Sequence, residues 1–179
     1  MNVRRLSAVV ATLAFGLAAC GGDDPTLTGY ERDPAPAVGS ITLPDLANGG
    51  DEFAFAAEPG GLLAVYFGYT HCPDFCPTTM SDLRLAIQRM DDDDASKIDV
   101  AMVTVDPDRD IEVLPEYVAG FFPDGHALGT DDGGALARAA APFGVTYDVS
   151  TNEEGEIEVG HTTSLYVVDD AGNLALTWQ

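Results

Sequence analysis

Basic side chains are scarce in this sequence: eight Lys and Arg stand against thirty Asp and Glu, a formal net charge of −22 at pH 7. So acidic a surface repels phosphate backbones and anionic lipid head groups, which argues against nucleic acid and a charged membrane surface as direct partners. Cysteine is scarce too, at three residues. A chain of 179 residues accommodates one domain of roughly 130–150 residues, which buries about two-thirds of its surface and needs neither disulfide nor metal merely to fold. Internal repeats are absent, and no apolar run reaches the ~20 residues of a comfortable bilayer span.

What is present begins with an export-like start, "MNVRRLSAVVATLAFGLAAC". Arg4 and Arg5 give a positive end, an apolar run reaches Leu17, and small residues lead into Cys20. The ending "LAAC" resembles a bacterial lipobox, which implies removal of residues 1–19 and a lipid on Cys20. The plainer alternatives are an ordinary secretory peptide or an uncleaved anchor. Residues 20–39, rich in Gly, Pro and acid, are expected to be a flexible tether, and residues 40–179 the folded domain. The run "DDDD" at 91–94 is expected to be a solvated turn rather than a cation site.

Within the domain, "SITLPDLANGGDEFAFA" predicts two short strands around an Asn-Gly-Gly turn. "GLLAVYFGYT" and "KIDVAMVTVD" are apolar runs of the kind that form strands buried on both faces. Met80, Leu83, Ile87 and Met90 recur at helical spacing, predicting a helix over 77–90. Two further helices are expected in "EVLPEYVAGFF" and "GGALARAAAPFG", the second closed by Pro142 and Gly144. "DVSTNEEGEIEVG" reads as a polar loop, and the end of the chain as a hairpin around Asp-Asp-Ala-Gly-Asn. The order predicts an α/β sandwich with parallel strands at its centre.

The chemistry concentrates in "YFGYTHCPDFCPTT", residues 66–79. Pro73 and Pro77 push Cys72 and Cys76 out of helical geometry. Pro77 suits the first helical position, which puts Cys76 at the helix cap and Cys72 on the loop before it. A helix N-terminus favours thiolate over thiol. A disulfide closing so small a loop adds little stability, so the pair reads as a redox couple or as metal-binding sulfur. Two thiolates select soft ions, above all Cu(I), and a third ligand would let the site hold Cu(II) as well. Three histidines compete for that place. His71 adjoins Cys72 with a diverging ring, His126 falls on an expected surface loop, and His161 opens a strand whose end can face the start of the helix.

Three segments together resemble the Sco/SenC family: "VYFGYTHCPDFCPTTM", "VTVDPDRD" at 103–110 and "GHTTSLYVVDDAGN" at 160–173. The likeness extends over roughly residues 38–178. It implies a thioredoxin-like fold, with a central mixed sheet flanked by helices and a short N-terminal hairpin. It further implies a copper-binding protein held at the outer face of the cytoplasmic membrane by its lipid, helping to assemble the CuA centre of cytochrome c oxidase subunit II. Other copper chaperones or thiol reductants are further implied partners. Carried over by residue, Cys72, Cys76 and His161 are the copper ligands, while Asp106 and Asp108 orient the site or face a partner.

Two departures from the resemblance stand out. Gly160 stands where many relatives have Asp, so the hydrogen bond that orients the imidazole must come from elsewhere. The sequence ends at "LALTWQ", where relatives continue into a helix, so apolar surface near Leu174, Leu176 and Trp178 is expected to be exposed. The rival function is a thiol–disulfide oxidoreductase using Cys72 and Cys76, although such enzymes usually place two residues between their cysteines rather than three. A peroxidase would need an Arg beside a lone thiol, and only Arg109 could approach in space.

Overall fold

The computed structural model describes residues 29–179; Cys20 and the expected signal segment 1–19 lie outside them. β1 (Thr42–Asp45) and β2 (Asp51–Ala54) make the expected antiparallel hairpin around the Asn-Gly-Gly turn. The first apolar run becomes β3 (Leu62–Gly68), followed by α1 (Phe75–Ile87) and one exposed turn of helix, α2 (Asp92–Ala95), made from the acidic run. β4 (Ile98–Thr104), α3 (Pro107–Asp110), α4 (Leu114–Ala119), β5 (His126–Leu128) and α5 (Gly133–Ala140) come next. The chain finishes with β6 (Tyr147–Thr151), β7 (Ile157–His161), β8 (Leu165–Asp169) and β9 (Leu174–Trp178). Among the described residues no helix is long and apolar enough to cross a membrane.

Seven strands form one sheet in the order β2-β1-β5-β4-β3-β8-β9. β3, β4 and β5 are parallel at the centre, and the remaining pairs are antiparallel. This is a thioredoxin-like mixed sheet. The two-residue period of a strand explains how it builds two cores. On β3, Leu63, Val65 and Phe67 face one side, where Val103, Phe143, Tyr166 and the α5 residues Leu136 and Ala139 pack. Ala64 and Tyr66 face the other, with Met102, Met80 of α1 and Leu114 and Val118 of α4. Both sulfurs belong to this second cluster.

Three elements differ from the sequence expectations. The polar loop before His161 is a two-stranded antiparallel ribbon, β6–β7, outside the main sheet. The end of the expected tether is ordered. Tyr30 bridges to Thr177 and Ala37 to Asn173, so residues 30–38 run antiparallel along the free edge of β9, and Val38 enters the core. The apolar surface expected near the C-terminus is not exposed. Leu174 and Leu176 retain only 1% and 8% accessibility and Trp178 is half-buried, Leu174 lying in the core cluster and Leu176 against Gly29 at the start of this N-terminal strap.

Candidate metal and thiol site

β3 ends at Gly68, where any side chain would collide with the Tyr66 ring and approach Cys76 Sγ to 3.0 Å. A six-residue loop then carries Cys72 to the start of α1. The helix begins two residues earlier than expected: Asp74 is its cap residue and its carbonyl accepts the first helical bond from Thr78 N–H at 3.2 Å. Pro77 therefore sits within the first turn, where an amide has no helical partner to lose. Cys76 is inside α1 rather than at its cap. It is fully buried, while Cys72, at 9% accessibility, lies just under the surface. Both are free thiols.

The two sulfurs have opposite electrostatics. Burial alone would raise the Cys72 thiol pKa, but the backbone N–H groups of Cys76 and Asp74, together with the Cys76 and Tyr69 side chains, bring it below the ordinary thiol value. The bond from Cys76 N–H to Cys72 Sγ is 3.3 Å, an example of thiolate stabilisation by the first turn of a helix. For Cys76 burial dominates, and its pKa is pushed up to about 12. The Tyr66 hydroxyl donates to Cys76 Sγ at 3.7 Å.

His161 completes the constellation from the far end of the β6–β7 ribbon, paired across it with Tyr147. Its Nδ1 donates to the Thr162 carbonyl at 2.9 Å, leaving Nε2 as the acceptor 3.6 Å from Cys76 Sγ. The orienting bond that Gly160 cannot supply thus comes from the next residue's backbone. Tyr69 and Tyr66 pack against the imidazole edge-on, at centroid distances of 5.6 Å and 6.1 Å. Burial holds the imidazole pKa below its ordinary value, against the opposing effect of the Thr162 and Phe67 carbonyls, so the ring is neutral at pH 7. Cys72 Sγ, Cys76 Sγ and a His161 ring nitrogen lie within 4.8 Å of one another. Two sulfurs and a neutral imidazole form a donor set suited to Cu(I).

The other histidines are engaged elsewhere. His71 Nδ1 turns to Asp110 Oδ1 at 3.3 Å. His126 opens β5 instead of lying on a loop; its Nδ1 meets buried Asp45 at 2.7 Å and its ring packs on Phe53. Asp106 is buried and paired with Arg109, and Asp108 is exposed. The carboxylate that does reach the sulfur loop is Asp110, which bonds Thr70 and Thr104. Sequence reading does not single it out; its signal is the last Asp of "VTVDPDRD", one helical turn beyond Asp106 and so directed inward when Asp106 caps α3.

The SCO1/SenC family model matches residues 36–179. The mitochondrial protein SCO2 of Saccharomyces cerevisiae is 32% identical over 153 residues, covering 81% of this chain and 50% of the yeast protein, so the chain spans about half of that relative's length. Apo Sco1 of Thermus thermophilus superposes with a TM-score of 0.70 at 31% identity, covering 84% of this chain and 86% of that one. Bradyrhizobium japonicum ScoI, solved with copper bound, superposes with a TM-score of 0.66 at 26% identity, covering 80% and 90% of the two chains.

Proposed function

The chain belongs to the SCO1/SenC family, and from that premise we propose that it is a copper chaperone, with Cys72, Cys76 and His161 as the ligands of its cargo. The observation that carries this reading is the convergence of two sulfurs and an imidazole nitrogen within 4.8 Å. Cu(I) favours such soft donors, and the third donor extends the site to Cu(II). Cys72 lies just beneath the surface and Phe75, the first residue of α1, is exposed, so an incoming partner can approach the metal from that side. The partner's own cysteines and histidines then take the copper by ligand exchange. The recipient in this reading is the CuA site of cytochrome c oxidase subunit II. Cys20 carries a lipid after loss of residues 1–19, which holds the domain at the outer face of the cytoplasmic membrane and concentrates it near an integral partner.

A second reading, thiol–disulfide exchange, is favoured by the unequal sulfurs. The Cys72 thiolate attacks a partner disulfide, forming a mixed disulfide and releasing one partner thiol. Cys76 then attacks Cys72, its proton passing to the released partner thiolate, which closes the Cys72–Cys76 disulfide and frees the second partner sulfur. Two electrons pass to the partner, and a thiol reductant restores the pair.

Copper titration of the purified chain separates these readings. The reduced form takes up one copper per chain and the oxidised form loses Cu(I) binding. Stoichiometric zinc after growth in metal-replete medium, or no copper uptake by the reduced form, defeats the chaperone assignment.

A further inference from the structure

We propose that Asp110 is a positioning residue of the sulfur site, acting through the loop that precedes Cys72 rather than by touching a reacting atom. Its side chain is 0% accessible, at the C-terminal end of α3. Oδ2 accepts from Thr70 N–H at 2.9 Å and from Thr104 Oγ1 at 2.7 Å. Oδ1 accepts from Thr70 Oγ1 at 2.6 Å and faces His71 Nδ1 at 3.3 Å. Three of these four contacts come from the two residues immediately before Cys72, and the fourth from the end of β4. Arg109, next to Asp110 in the chain, turns to Asp106 instead.

The rest of the loop between β3 and α1 is held at Tyr69, which packs on His161 and bonds the two sulfurs, and at Cys72 itself, which lies against the second core; Thr70 and His71 between them depend on Asp110. Cys72 N–H reaches the Tyr69 carbonyl at 3.4 Å, a long bond. The Cys72 sulfur nevertheless has to sit where Cys76 N–H can donate to it and where it meets Cys76 Sγ and His161 Nε2. Asp110 ties Thr70 and His71 to the rigid centre of the sheet, and so sets the starting point from which Cys72 reaches the helix. Groups bonded directly to a metal ligand typically change metal affinity about 10–100-fold, and Asp110, bonded to the residues before Cys72, is expected at the lower end of that range. The metal part of this inference rests on the chaperone reading; the loop part does not.

The test uses the full chain with three substitutions. Asp110→Asn keeps the volume but turns an acceptor into a donor facing donors; its Cu(I) affinity, measured by competition with a chromophoric chelator, is expected to fall about 10-fold. Thr70→Val removes the hydroxyl's bonds to Asp110 Oδ1 and His71 Nδ1 and leaves every charge in place. It is expected to slow alkylation of Cys72 by iodoacetamide at pH 7 several-fold and to weaken Cu(I) binding, while Thr70→Ser restores both. Circular dichroism confirms folding, and if Asp110→Asn does not fold the Thr70 pair decides. Unchanged Cys72 alkylation and Cu(I) affinity in folded Thr70→Val, with only the melting temperature lowered, would reduce Asp110 to a structural support and overturn the proposal. Should the parent chain bind no copper, the chaperone reading fails, and the alkylation rates still judge Asp110.

Discussion

His161 Nε2 stands 3.6 Å from Cys76 Sγ although 85 positions separate them in the chain. Two devices create this proximity. The β6–β7 ribbon projects its last residue back over the end of β3, and the Thr162 carbonyl takes Nδ1–H, turning the lone pair of Nε2 toward sulfur. The imidazole is therefore set in the tautomer a metal requires before any metal arrives.

His161→Ala is expected to abolish Cu(II) binding while the Cys72–Cys76 pair stays reducible. Spectroscopic titration with Cu(II), beside thiol counting before and after oxidation, checks both halves. Undiminished Cu(II) affinity in the variant removes His161 from the ligand set.

The unequal thiols predict an order of modification. Cys72, with its pKa below the ordinary thiol value, carries more thiolate at neutral pH than Cys76, whose pKa is pushed up to about 12. Iodoacetamide at pH 7 should label Cys72 first, and Cys76 should gain reactivity only as pH rises toward that value. Peptide mapping by mass spectrometry reads the order; equal labelling of the two would contradict the thiolate assignment.

Asp45 predicts an acid-sensitive contribution far from the sulfurs. Burial raises its pKa, but bonds from Asn48, His126 and the backbone of Ala127 and Ala47 outweigh it, and the net shift is below the ordinary 3.8. A depressed folded-state pKa means stability fully present above pH 3.8 and lost as pH falls through the folded value. Asp45→Asn should cost about 1–3 kcal/mol at pH 7. In urea melts the gap between parent and variant should shrink below pH 3.8; a gap independent of pH would remove Asp45 from the acid response.

Gly172 predicts how tightly the N-terminal strap is held. It has φ +74°, and a Cβ there would lie 2.5 Å from Gly39 Cα, on the strap. Gly172→Ala should cost more than the ~1–2 kcal/mol of a left-handed residue, because the strap must also move. Amide exchange should quicken at Val38 and Gly39, whose N–H groups bond the Gly172 carbonyl. A variant as stable as the parent would mean that strap and turn separate at little cost.

Elements with a strong apolar signal were legible in the sequence. β3 is a continuous apolar run because both its faces are covered, and α1 shows helical spacing because Met80 faces the core. The β6–β7 ribbon was not legible although Tyr147 and Val149, and Ile157 and Val159, alternate with polar residues: each run is short, lies among Asn, Glu and Gly, and leaves Val149 and Ile157 exposed. The strap was hidden in a similar way, since its Gly, Pro and acid composition describes an edge segment held by backbone bonds, with Val38 as its core anchor. Of the site, the cysteines and His161 were picked out by residue type and motif. Asp110 was not, since its importance lies in what it holds, and nothing in an isolated Asp shows which hydroxyls will surround it.

The strap also determines where mechanical load enters the molecule. Tension on the chain ahead of Tyr30 meets the paired bonds between Tyr30 and Thr177, at 2.7 Å and 2.9 Å, and then those further along β9. β9 is two strands removed from β3. A pull applied ahead of Tyr30 would thus first load the outer rim of the sheet, away from the strand that leads to the sulfurs.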